Sequence, residues 1–192
     1  MSVRKEFINL LYDEMAVNED IVLILGDLGY GHFDKFRIDF PDRVYNPMAA
    51  EQLMVGMAVG MALESKIPIC YSITPFVIFR PFELLRNFLD HEKIPVKLVG
   101  SGRDKDYGAL GFSHWGIDDK VHMNSFKNIK KYWPKDINVM KEKFDKVIYN
   151  KKPIFLYLRE LTGLNTKQIV NNLNKLRAKY RIFKKNWVNG KI

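Results

Sequence analysis

Residues 43–63 read RVYNPMAAEQLMVGMAVGMAL. A short strand-like start at Arg43–Tyr45 runs into Pro47, and from Glu51 to about Glu64 small and apolar side chains predict a helix. One acid, Glu51, opens that run. Two readings of it stand side by side. A carboxylate in a first helical turn favours the helix dipole. A carboxyl held in an apolar wall has a raised pKa and can hold or share a proton. Gly56 and Gly60, with Ala58 and Ala62 beside them, give a small-xxx-small spacing that lets a second backbone approach closely. Either the protein's own sheet or a helix of another subunit could use it.

On either side, apolar runs alternate with helical patterns. A helix is predicted over Val3–Met15, followed by the buried-strand run DIVLIL (20–25). IPICYSI (67–73), a helix at 81–91 and IPVKLVG (94–100) come next. KKYWP (130–134) reads as a short strand, 136–150 as a helix and KPIFLYLRE (152–160) as a last strand. Strands separated by helices imply an α/β fold of three layers, a mainly parallel central sheet flanked by helices. In such folds ligands collect at the carboxyl ends of the strands, so the loops at 26–31, 74–82 and 100–116 are the candidate chemistry positions.

The 192 residues, 47% of them hydrophobic, suit one domain at 1–161 and a basic helical extension at 162–192. From Asn165 onward there are eight Lys and Arg and no Asp or Glu; taking those eight from the formal +9 leaves +1 for the rest. A basic total therefore does not make the body a nucleic-acid binder. One cysteine, Cys70, excludes an internal disulfide and a cysteine-built zinc cage. The charged N-terminal helix is unlike a signal peptide. The longest apolar stretch, Leu53–Leu63, is far short of the ~20 residues that span a bilayer, and the expected location is the cytoplasm.

Phe76, Phe79 and Phe82 recur every third residue in TPFVIFRPFE, where Pro75 and Pro81 prevent one regular helix. They are core aromatics or a wall on which a flat heterocycle stacks. His114 sits among glycines in GALGFSHWG, where backbone can approach a ligand closely. Arg103 can meet an anionic substrate group or pair with Asp104 or Asp106. His32, His91 and His122 show no partner spacing and read as structural or surface residues. GDLGYG (26–31) is neither G-x-G-x-x-G nor a P-loop, and no HExxH or CxxC occurs, so no metal site is expected within the chain.

Taken in order, RVYNPMAAEQLMVGMAVGMAL, PICYSITPFVIFRPFELLRN, GALGFSHWG and KPIFLYLRE resemble the pyrimidine-binding domain of the transketolase family, over about Val3–Arg159. That domain also occurs in deoxyxylulose-phosphate synthase and in 2-oxo acid dehydrogenase beta subunits. The resemblance implies a thiamine-diphosphate-binding fold of pyrimidine type and thiamine diphosphate as cofactor. It implies that Glu51 bonds ring nitrogen N1′ of the aminopyrimidine, promoting loss of the thiazolium C2 proton. Phe76, Phe79 and Phe82 match the aromatic platform under the pyrimidine, and His114 matches a histidine reaching substrate oxygen. Leu110 stands where sugar-using relatives commonly carry an aspartate that recognises a donor hydroxyl, so the usual ketose-phosphate donor is not carried over.

The family's magnesium-binding Gly-Asp-Gly…Asn signature does not occur, and GDLG at 26–29 is not a version of it. The resemblance therefore implies a split transferase, active only with a diphosphate-binding, transketolase N-terminal-type subunit that holds Mg2+. Two copies of each chain are expected, with Gly56 and Gly60 at a two-fold seam. Tyr180, Ile182, Phe183 and Trp187 give the basic tail apolar anchors for an arm on that partner. The substrate would be a sugar or an oxo acid. Two alternatives stand: a 2-oxo acid decarboxylase or dehydrogenase beta subunit, and a non-catalytic binding protein with a basic tail. Neither a membrane nor nucleic acid is an expected partner.

Overall fold

A computed structural model of the chain describes residues 2–159. Six strands make one sheet: β1 (Ile21–Leu25), β2 (Val44–Tyr45), β3 (Ile67–Ile73), β4 (Lys97–Ser101), β5 (Lys130–Tyr132) and β6 (Ile154–Leu158). Their order is β2-β1-β3-β4-β6-β5 and every pairing is parallel. Parallel strands need crossovers, and α2 (Asp34–Asp39), α3 (Glu51–Leu63), α4 (Thr74–Phe79), α5 (Phe82–Leu84), α6 (Asp119–Asn124) and α7 (Ile137–Ile148) lie in them, while α1 (Val3–Val17) precedes β1.

The strands are continuous apolar runs because both faces are covered. Along β1, Ile21, Leu23 and Leu25 join Phe7 and Leu11 of α1, Phe36 of α2 and Phe144 of α7 in one core layer. Val22 and Ile24 point the other way, to Met54, Val55 and Ala58 of α3, Ile78 of α4 and Met123 of α6. The three-layer reading thus holds. Two helix starts are capped as their sequences demand: Ser2 accepts the Lys5 N–H, and Asp136 accepts the Val139 N–H at 2.9 Å.

Several elements differ from expectation. The six-residue helices α2 and α6 are too short to carry a clear period and emerge only from tertiary packing. The helix expected at 81–91 is α5 continued by a π-helical turn, Leu85–His91. Within the loop expected at 100–116, Gly108–Leu110 and Phe112–His114 form 3-10 turns. Lys97, inside an apolar strand, is buried and donates to the carbonyls of Pro95 (2.6 Å) and Asn150 (2.7 Å); burial pushes its ammonium pKa down to about 8. The basic extension at 162–192 lies outside the described residues. Among the described residues no helix is long and apolar enough to cross a membrane.

Register brings the candidate loops together. Leu25 lies beside Tyr71, and Ile73, Ser101 and Leu158 form one row, so Gly26, Thr74 and Gly102 leave the sheet at the same pole.

Candidate active site

Asn46 shapes the approach to Glu51. Its Oδ1 accepts the backbone N–H of Met48 (3.0 Å) and of Asp27 (3.2 Å), tying the loop after β2 to the loop after β1. Met48 takes a left-handed φ of 60°, and α3 then begins at Glu51 with no side-chain cap from Ala50. The acid is therefore a first-turn residue at the positive end of the helix, and it is also only 1% exposed. Its surroundings differ from the sequence expectation in one respect. The wall around the carboxyl is not apolar: Ser72 Oγ donates to Oε1 at 2.8 Å and Arg80 Nη1 to Oε2 at 2.5 Å. A buried carboxylate without such partners would carry a large desolvation cost.

Gly26 makes the Ser72 contact possible. A Cβ there would stand 2.7 Å from Ser72 Oγ and 3.2 Å from Glu51 Oε1. Arg80, which closes α4, lies with its guanidinium 3.8 Å from the centre of the Phe76 ring. The other side of the site reaches His114, whose ring is 4.9 Å from that of Phe76 at 66°; Nδ1 is 3.0 Å from Ser113 Oγ. Glu51, Arg80, Phe76 and His114 thus form one contiguous chain of contacts at the carboxyl pole. A groove of about 520 Å³ lined by Ala49, Ala50, Glu51, Gln52, Leu53 and Arg80 opens beside it.

The other two phenylalanines separate from Phe76. Phe79 sets its ring against His122 (5.0 Å, 85°), while Phe82 packs on Phe126 at 5.0 Å. Arg103 makes neither expected pair through its side chain. Its backbone N–H donates to Asp106 at 3.0 Å and its Nη1 donates to the Pro134 carbonyl at 3.4 Å, while Arg159 Nε lies 3.7 Å from Asp106. Gly102, with φ 81°, leaves room for Tyr107 where a Cβ would collide, and so turns the chain after β4 away from the line of the strand. Of the remaining histidines, His32 is bonded to Arg4 at 2.8 Å.

Residues 1–163 match the family described as transketolase, pyrimidine binding domain. The chain belongs to that family. It is 34% identical to one of the subunits of an apulose-4-phosphate transketolase of Actinobacillus succinogenes, over 62% of this chain and 39% of that one. It is 30% identical to a putative transketolase C-terminal section of Methanocaldococcus jannaschii over 80% and 49%. Among solved structures, a split gene transketolase described as an inactive beta4 tetramer superposes with a TM-score of 0.71 at 26% identity, covering 83% of this chain and 51% of that one. The transketolase of Campylobacter jejuni gives 0.75 at 15% identity, covering 83% and 26%, which speaks for the fold alone. The chain spans about half the length, or less, of these curated relatives.

For this pyrimidine-binding domain, sequence reasoning singled out Glu51, Phe76 and His114 and missed Ser72, Arg80 and Gly26. Ser72 was legible in principle, as a polar residue within an otherwise apolar strand. Asp119 was missed as well. It is buried under the His114 loop, with no hydrogen-bond partner for Oδ1 among the described residues, and a Cβ at Gly116 would lie 3.6 Å from its Cγ. Burial pushes its carboxyl up to about 6.

Because the native pKa lies above the unfolded value, near 3.9, the native state binds the extra proton between the two. Asp119 therefore adds stability as pH falls from about 7 toward 4, and its ionisation penalty is complete above the native value. Asp119→Asn is expected to flatten that slope and to stabilise the domain at pH 7.5 by roughly 1–2 kcal/mol. Urea unfolding of both proteins from pH 4.5 to 8 reads it directly; parallel curves would remove Asp119 as the source.

Proposed function

We propose that this chain is the pyrimidine-binding subunit of a split, transketolase-like transferase that moves a short ketol fragment by means of thiamine diphosphate. The observation that carries the reading is the buried Glu51 carboxyl, bonded through Oε2 to a flat N–H donor that lies on the Phe76 ring. An aminopyrimidine has the same needs: a carboxyl at a ring nitrogen and an aromatic face. The residues present therefore fit that half of the cofactor.

Thiamine diphosphate supplies a thiazolium that acts as an electron sink for carbonyl chemistry. The protein's share is binding and proton placement. Glu51 holds a proton at N1′ of the pyrimidine, with Ser72 fixing its other oxygen. Phe76 gives the ring face, while Phe79 and Phe82 hold the segment in place, packing on His122 and on Phe126. His114, packed on the edge of Phe76, bonds substrate oxygen. Arg103, a partly buried residue of the loop after β4, is the group that meets an anionic substrate in this reading.

The diphosphate and Mg2+ belong to a second, N-terminal-type subunit. Self-association of this chain is part of the same reading, and the inactive beta4 tetramer of a split gene transketolase supports it. The sheet-facing side of α3 is Met54, Val55, Ala58 and Val59, whereas Gly56 and Gly60 are exposed. Packing of these glycines on the domain's own sheet is thus excluded. A Cβ at Gly60 meets nothing within 4 Å among the described residues, so Gly60→Leu is expected to leave the fold of the subunit in place. It is expected to block close helix approach and to release lower oligomers in sedimentation, with an unchanged circular dichroism spectrum; unchanged assembly would remove α3 from the seam.

Leu110 favours a second reading, a 2-oxo acid decarboxylase or dehydrogenase beta subunit. It is 57% exposed in the loop four residues before His114 and offers no hydrogen bond to a donor hydroxyl. Assay of the assembled complex separates the two. Ketol transfer between ketose and aldose substrates supports the first reading, and carbon dioxide release from pyruvate-like acids replaces it with the second.

A further inference from the structure

Arg80 has a place in the candidate site that neither reading assigns. We propose that Arg80 is a resident stand-in for the aminopyrimidine: it fills the Glu51–Phe76 site of the unloaded subunit and must leave for that ring to enter. The inference rests on the functional reading above and adds a residue that competes with the cofactor.

The chemistry of the guanidinium is what makes it a stand-in. It is planar, cationic and rich in N–H donors. It donates to Glu51 Oε2 at 2.5 Å and covers the Phe76 ring at 3.8 Å. Those are the two contacts a protonated aminopyrimidine needs, and both surfaces cannot serve two flat groups at once. The Glu51 side chain is fully buried, while that of Arg80 is 41% exposed. The acid is therefore fixed by the helix and the sheet, and the arginine is the partner free to move.

Beyond Glu51, the Arg80 guanidinium is held by a bond to the Ala49 carbonyl at 3.4 Å, near the limit of such a bond. The groove of about 520 Å³ beside Glu51 has Arg80 as part of its wall, which gives the side chain open space to swing into. A subunit that meets its cofactor only on assembly would otherwise carry a buried carboxylate with a hydroxyl as its one partner. Pairing with a mobile arginine stabilises that state at the expense of cofactor affinity.

The test is cofactor binding, read without turnover. The complex is purified with its native partner, as wild type, Arg80→Met and Arg80→Lys, and thiamine diphosphate is titrated by calorimetry in the presence of Mg2+. Arg80→Met removes the competitor and leaves the Glu51 carboxylate short of a partner, so both effects tighten binding. The expected result is a Kd lower by about tenfold, equivalent to a charge-assisted contact. Arg80→Lys, which can pair with Glu51 but cannot stack flat on Phe76, is expected between the two. A Kd in Arg80→Met that is unchanged or higher overturns the stand-in; a higher one would make Arg80 a cofactor ligand. Wild type that takes up no cofactor overturns the functional reading itself, and the inference falls with it.

Discussion

Glu51→Gln is expected to abolish turnover in the assembled complex, by at least about 10³–10⁴-fold, while the fold persists. The amide keeps the shape of the side chain and can still accept from Ser72 Oγ, but it cannot hold a transferable proton at the cofactor's ring nitrogen. The fold survives for a reason visible in the geometry. Removing one member of a buried ion pair is costly when the charge left behind is buried. Here the remaining charge is Arg80, 41% exposed, which can turn to water. Steady-state assay together with thermal melting checks both halves. Wild-type-like turnover would remove Glu51 from the chemistry, and collapse of the melt would make it a structural residue.

Gly26→Ala is expected to damage both stability and activity although it adds one methyl group. The new Cβ would lie 2.7 Å from Ser72 Oγ and 2.9 Å from Ser72 Cβ. Ser72 is fully buried in β3, and Gly26 directly follows β1 beside it at the carboxyl pole, where the paired strands leave little room to shift. Overpacking of this kind costs about 1–3 kcal/mol, which lowers the melting temperature by a few degrees for a chain of this size. Ser72 is pushed off Glu51 Oε1 at the same time, so the carboxyl loses the contact that orients it. The double variant Gly26→Ala/Ser72→Gly removes the clash and is expected to recover the melting temperature without recovering full activity. Recovery of neither by that variant would place the damage elsewhere in the loop after β1.

The fold was legible because its signals are long and repetitive. IVLIL, IPICYSI and IFLYL are buried on both faces, and a strand of that kind tolerates little else than apolar side chains. Glu51 was legible for the opposite reason: one charge in an apolar helix has to be accounted for. Arg80 was not legible. It sits between Phe79 and Pro81 in a segment that reads as a turn, and its pairing with Glu51 spans 29 positions. The even spacing of Phe76, Phe79 and Phe82 also hid their divergence. The first two belong to α4, the third opens α5, and Pro81 between them redirects the chain so that Phe82 reaches Phe126. Ser72 and Gly26 become meaningful only once β1 and β3 are adjacent.

If this domain supplies one side of a two-chain thiamine diphosphate site, the second chain and the cofactor must travel with it. The most direct measurement is native mass spectrometry of the chain purified gently from its source, with thiamine diphosphate and Mg2+ present. The expected species is a heteromer that contains this chain, a second chain with the diphosphate-binding signature, and bound cofactor. An assembly of this chain alone, unable to retain cofactor and joined by no second chain, would contradict the two-chain site and return Glu51 to the role of a helix-start acid paired with Arg80.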